Sequence, residues 1–329
     1  MKQLTCRCGQ VVYFENMYCG NCGRALAFDP GTLSMQSETE PGAGLRYCTN
    51  REGAVRCNWL ADPASEAGAC ISCRSSRVIP SLSKLENLER WRRLEKAKRR
   101  LIYDLLTLDL PVEASRLSFV FKEDRRTNPD VHEEHVAIGH SQGVITINAA
   151  EADDVYRESM RLQVNEPYRT LLGHFRHEAG HFYFDQLVDE TNRAGARELF
   201  GDEMQAYDTA LQHYYANGPV PGWQEHFISA YASSHPAEDW AETFAHFLHI
   251  RAVLETAEAY EWRRSAQAPE WRSGFLEVVI PLNEMMRSLG LDDAYPFLIT
   301  PAVAAKLDFI DAAVSRFTGR RDEPASQAR

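Results

Sequence analysis

Leu85, Leu88, Trp91, Leu94, Leu101 and Leu105 recur at the three-and-four spacing of one helix face, and Ser83-Lys84-Leu85-Glu86 ahead of them reads as a capping box. A long helix is expected, ended by Pro111. Its polar positions carry Arg90, Arg92, Arg93, Lys96, Lys98, Arg99 and Arg100. A solvated helix face is the simplest reading of that run, and a surface for RNA or an acidic protein is the alternative. Further on the apolar period shortens to two. Leu117 to Phe121, His135 to His140 and Val144 to Asn148 are predicted strands, the last two joined through Ser141-Gln142-Gly143. From Glu151 the pattern is helical almost throughout, including Tyr168 to Val188, with Thr300-Pro301 as cap and first helical residue and a polar tail from Arg320. The class is α+β, and no internal repeat interrupts it.

Before Ser83 there is little periodicity, and the chemistry changes. All eight cysteines lie between Cys6 and Cys73, and all eleven histidines between His132 and His249. Clustered cysteines in a reducing compartment bind metal more often than they pair, whereas histidines mixed with carboxylates suit a catalytic metal. Cys6-Arg7-Cys8-Gly9 and Cys19-Gly20-Asn21-Cys22-Gly23 form a knuckle pair able to surround one zinc, although C-x-C replaces the usual C-x-x-C in the first. Cys48, Cys57, Cys70 and Cys73 make a second foursome. Sequential pairing is expected, with an interleaved arrangement open on spacing alone.

Within the predicted helix Tyr168 to Val188 stands His177-Glu178-Ala179-Gly180-His181, an HExxH pattern. Positions i and i+4 share a helix face, so both imidazoles can reach one zinc, with Glu178 beside them to take a proton from the attacking water. The metzincin extension is excluded, because Phe184 and Leu187 stand where glycine and histidine would be required. A third ligand must then come from elsewhere. Glu238-Asp239-Trp240-Ala241-Glu242 offers two glutamates four apart on one face, one to ligate and one to orient a histidine. Glu203 is the competing choice, His246 and His249 read as core or supporting residues, and Trp91, Trp240, Phe244 and Phe247 as core.

Four runs carry a wider likeness: Val12-Tyr13-Phe14-Glu15-Asn16, Cys57-Asn58-Trp59-Leu60, Asn87 to Glu95, and His235-Pro236-Ala237-Glu238-Asp239-Trp240-Ala241-Glu242-Thr243-Phe244. In these the chain resembles a bacterial family of zinc-binding metallopeptidases with an N-terminal zinc ribbon. Across the catalytic segment alone it also resembles the lethal-factor branch of the gluzincins, through Tyr231, Glu238, Ala241, Glu242 and Phe244. That resemblance implies Glu238 as the third zinc ligand, Glu242 as the carboxylate supporting a ligand histidine, and Tyr231 as the donor to the developing oxyanion. His174 and His235 depart from the branch and leave open whether Tyr231 or His235 is that donor.

The expected organisation is a zinc ribbon over 1–40, a second cysteine-rich zinc module over 41–80, a linking helix over 81–110, a zincin-like metallopeptidase domain over 111–318 with a small mixed sheet and many helices, and a disordered tail over 319–329. One catalytic and two structural zinc ions are expected. The Val144–Asn148 strand is expected to offer an edge on which an extended peptide could add. A net charge of −11 disfavours long-range steering toward nucleic acid, so any such partner, like a protein partner, would have to use the ribbons or the basic helix 90–100. No run approaches the roughly 20 apolar residues of a membrane span, and the N-terminus lacks a signal-like apolar stretch, so a cytoplasmic hydrolase acting on peptides or proteins is the expectation. The rival is an adaptor that binds protein or RNA through its ribbons, with the zincin fold as scaffold; an activity confined to one target, protease or deamidase, is a third reading.

Overall fold

The computed structural model describes residues 1–39, 45–163, 166–262 and 271–322. Residue contacts divide the chain into two compact units, one over 2–175 and one over 176–329 together with Met1. The division falls inside a helix.

The first unit opens with two short antiparallel hairpins, β1 (Leu4–Thr5) with β2 (Val11–Val12) and β3 (Leu26–Asp29) with β4 (Ser34–Ser37). Strands this short bury little, and aromatic rings supply the core instead: Phe14, Phe28 and Trp59 pack against one another, and Tyr103 closes on Phe14 and Phe28 at 5.4 and 5.8 Å. The two cysteine segments share this core. Phe28 N–H donates to Asn58 O and Leu60 N–H to Phe28 O, while the Arg51 guanidinium reaches the carbonyls of Leu26 and Met17.

After α1 (Ile71–Arg74) and β5 (Ser76–Val78) comes the long helix α2 (Leu85–Thr107). It ends before Pro111, as expected, but the capping box does not form: Lys84 is the N-cap without a side-chain bond, and the Ser83 hydroxyl pairs with Ser81. The expected basic face is also corrected. Lys98 and Arg99 are buried, because α2 is covered both by the aromatic cluster through Tyr103 and by a sheet on which Lys98 sits over Phe119 and Phe121. Lys98 pairs with Glu95 at 2.9 Å, Arg90 with Asp153 at 2.6 Å, Arg93 with Asp154 at 3.1 Å and Arg100 with Glu15 at 2.5 Å. Of the seven, only Arg92 and Lys96 are exposed, too few for a basic docking face.

The sheet runs β5, β6 (Ser118–Lys122), β8 (Val144–Asn148), β7 (Gly139–Ser141), with β5, β6 and β8 parallel and β7 antiparallel. It is the mixed sheet expected. Gln142 and Gly143, at φ 47° and 77°, turn the β7–β8 hairpin in the left-handed region that a two-residue turn of matching twist requires. Two expectations fail here. β7 starts at Gly139, not His135, and β8 is not an edge, since β6 pairs it along all five residues from the other side. α3 (Asp154–Gln163) and α4 (Leu171–Leu187) follow, and Phe175 of α4 packs on Phe119 and Phe121.

The second unit is helical among the described residues: the rest of α4, then α5 (Arg193–Phe200), α6 (Tyr207–Asn217), α7 (Pro236–Ala259), α8 (Trp271–Ser288) and α9 (Pro301–Asp322). α7 is buried along most of its length, and Trp240, Phe244, Phe247, Leu248 and Ile250 pack inside together with the polar Glu238, Asp239 and His246. α9 begins as expected, Thr300 Oγ1 accepting from Val303 N–H. It continues to Asp322, so the tail expected from 319 begins inside a helix, and 323–329 lie outside the described residues. No helix among the described residues is long and apolar enough to cross a membrane.

Candidate metal centres

In the first ribbon the sulfurs are gathered by backbone turns. Cys6 O accepts from Gly9 N–H and Cys19 O from Gly23 N–H, with both glycines at positive φ (86° and 71°) where a side chain would strain the turn. The Sγ atoms of Cys6, Cys8, Cys19 and Cys22 all lie within 4.8 Å of one another, as do those of Cys48, Cys57, Cys70 and Cys73, so the pairing is sequential. Neighbouring sulfurs sit 3.6 to 3.7 Å apart, far too distant for a disulfide. That spacing matches the ~3.8 Å edge of a tetrahedron with metal–sulfur bonds of about 2.3 Å. Both sets therefore fit zinc by donor chemistry and by spacing.

The third cluster depends on how closely α4 approaches α7. A Cβ on Gly180 would lie 2.8 Å from Ala241 Cα and 3.0 Å from Ala241 O, so only glycine allows this contact. Trp240 Nε1–H donates to Gly180 O at 2.9 Å and locks the register of the two helices. Glu238, one turn before Ala241, is thereby delivered to the imidazoles of His177 and His181, and the ligand atoms of the three residues lie within 4.8 Å of one another. His177, Gly180, His181, Glu238 and Ala241 all belong to the unit over 176–329.

The polar geometry calls for a cation. His177 Nδ1–H donates to Glu242 Oε1 at 2.6 Å, which in the neutral ring leaves Nε2 as a bare lone pair. That Nε2 is 3.2 Å from His181 Nε2 and 3.1 Å from Glu238 Oε2, a buried oxygen with no hydrogen bond. The His177 Nε2 lone pair and the Glu238 oxygen are two acceptors facing each other, and they repel unless a positive charge stands between them. Burial alone would lower the His177 pKa, but Glu238 and Glu242 outweigh it and hold the ring well above its usual value. Burial opposes the Glu238 charge as well, and His177 and His181 overcome it to keep the carboxylate ionised. Without metal a proton fills the role; a nitrogen, nitrogen and oxygen donor set suits zinc.

Glu178 is buried, with Oε2 lacking a partner, and burial pushes its carboxyl above the ordinary range against the pull of the two imidazoles. Tyr231 lies with its ring centre 6.0 Å from that of His177, and burial followed by the Glu238 charge holds its phenol protonated. Glu203 is occupied elsewhere, by Arg193 at 2.7 Å and Arg197 at 2.8 Å, and lies outside the cluster. His235 caps α7: its Nδ1 accepts from Ala237 N–H and its Nε2 donates to Gln205 O, so neither nitrogen is available to an oxyanion. His174 Nδ1 is 3.4 Å from Glu151, a structural pairing. Buried His246 meets the Tyr295 hydroxyl at 2.9 Å, and half-buried His249 meets Arg176. Two contacts have no counterpart in the sequence reading. The Tyr207 hydroxyl donates to Glu238 Oε1 at 2.6 Å, and the Ser229 hydroxyl donates to Glu242 Oε2 at 2.7 Å.

A family model described as "Putative zinc-binding metallo-peptidase" matches residues 87–313, and one described as "zinc-ribbon domain" matches residues 3–84, spanning both cysteine sets. Uncharacterized proteins of Mycobacterium bovis and of two Mycobacterium tuberculosis strains are 41% identical over 95% of this chain and 95% of their own. No solved structure matches the chain.

Proposed function

The chain belongs to this zinc-binding metallo-peptidase family, and from that premise we propose that the His177, His181 and Glu238 centre hydrolyses peptide bonds with zinc in the manner of a gluzincin. The observation that carries the reading is the convergence of two imidazole nitrogens and an unpartnered carboxylate oxygen beside a buried Glu178. Bound zinc supplies Lewis acidity and lowers the pKa of a coordinated water to about 7. Glu178, whose burial raises its proton affinity, accepts the proton of the attacking water and returns it to the leaving amine. Glu242, held by Ser229, orients His177 and fixes the tautomer that ligates. Tyr231, protonated across the working pH range, donates to the oxyanion.

The two cysteine sets hold one structural zinc each, which brings the complement to three ions per chain. A chelator should abolish peptide cleavage and added zinc should restore it. Cleavage that survives exhaustive removal of metal from the histidine site would overturn the assignment.

A further inference from the structure

α6 is an unusual carrier for a residue that touches a buried carboxylate. None of its residues is buried, and Gly201 and Gly218 bound the segment at φ 97° and 80°. Yet its first residue, Tyr207, itself 40% exposed, sends its hydroxyl to Glu238, which is 1% exposed. The aim of that side chain is set from two sides. Its ring meets the His235 ring edge-on at 5.1 Å, and His235 Nε2 donates to Gln205 O just ahead of it, so the N-terminus of α7 fixes the start of α6.

A carboxylate has two oxygens and can bind a metal through either or both. Here the phenol takes Oε1 at 2.6 Å, an oxygen that also lies 3.4 Å from His181 Nε2, while Oε2 has no hydrogen bond and faces His177 Nε2 at the shorter distance of 3.1 Å. We propose that Tyr207 is a positioning residue of the metal centre: its hydrogen bond occupies one oxygen of Glu238, leaving the other as a single, directed ligand atom. A charge-assisted bond to a ligand carboxylate fixes its orientation and shares its charge, so its loss is felt in metal affinity before it is felt in the fold. This role differs from that of Tyr231, whose ring is tilted against that of His177 with centres 6.0 Å apart. It rests on Glu238 being the third ligand.

The test uses the full chain with zinc in its cysteine sites and measures affinity at the histidine site by chelator competition, with cobalt absorption as a report on ligand geometry. Tyr207→Phe should weaken binding there by about 10- to 100-fold and alter the cobalt spectrum, with thermal unfolding of the histidine-site-free protein unchanged. Leu211→Ala, on the same helix and without the hydroxyl contact, should leave affinity near wild type. Equal losses in Tyr207→Phe and Leu211→Ala would overturn the proposal, because helix packing would then account for the effect. Wild-type affinity in Tyr207→Phe together with a large loss in Glu238→Ala would overturn it as well, while leaving the ligand assignment standing. Wild-type affinity in both variants would remove the ligand assignment on which it rests.

Discussion

Replacing Gly180 by alanine sets two physical effects against each other. In a helix interior the change should stabilise by about 1 kcal/mol, since alanine loses less backbone freedom on folding. At this position the added Cβ would stand 2.8 Å from Ala241 Cα, 3.0 Å from Ala241 O and 3.2 Å from Phe244 Cβ. Optimal carbon contacts are about 3.5 to 4.0 Å, so α4 and α7 must separate by roughly 0.7 Å or more. Overpacking of this kind costs about 1 to 3 kcal/mol, which meets or exceeds the gain. The more telling effect is on the site. Glu238 lies one turn from Ala241, and a metal centre tolerates about 0.5 Å of displacement. Gly180→Ala should therefore lower zinc affinity at the histidine site by at least tenfold, read by chelator competition, while the midpoint of thermal unfolding stays level or falls. A variant that gains about 1 kcal/mol and binds zinc like wild type would refute the claim that this glycine sets the distance between ligands.

Glu238→Ala should lose most zinc from the histidine site, whereas Glu203→Ala, which disturbs only the arginine contacts of Arg193 and Arg197, should keep it; metal analysis after gel filtration separates the two. Elemental analysis should give three zinc ions per wild-type chain and two after Cys19→Ser, with the histidine site retained because its ligands all lie in the second unit. Zinc binding at the histidine site should weaken as pH falls, since a ligating imidazole must be unprotonated. Because His177 is held above its usual value of 6.5, the loss should begin above that pH in a competition titration.

How much of this could be read from the chain follows from which contacts are local. His177 and His181 share a helix face by spacing alone, and Glu238 and Glu242 repeat the device on α7, so the residues that gather in the third cluster are legible in the chain. Gly180 carried a signal too, a glycine placed where it costs helix stability, and its reason is the backbone of α7. Tyr207 carried none: its contact with Glu238 spans 31 residues and depends on how α6 and the cap of α7 meet. The charge pattern of α2 misled for a related reason. Lys98 and Arg99 look solvated until Glu95, Tyr103 and the sheet are folded around the helix. The partner that removes β8 from the edge, β6, pairs with it in parallel from more than twenty residues upstream, a contact that no local pattern encodes.

The claim that this centre is catalytic rests most directly on Glu178. Glutamine at that position keeps the size of the side chain and leaves both imidazoles to the metal, but it cannot accept a proton. Wild type and Glu178→Gln should be compared on an unbiased peptide library, with zinc measured on the same samples. The account predicts equal zinc in both and residual cleavage below about 1% in the variant, as the typical ~10² to 10⁴ contribution of general-base catalysis requires. Equal cleavage by the two proteins, or none by a zinc-replete wild type, would contradict it.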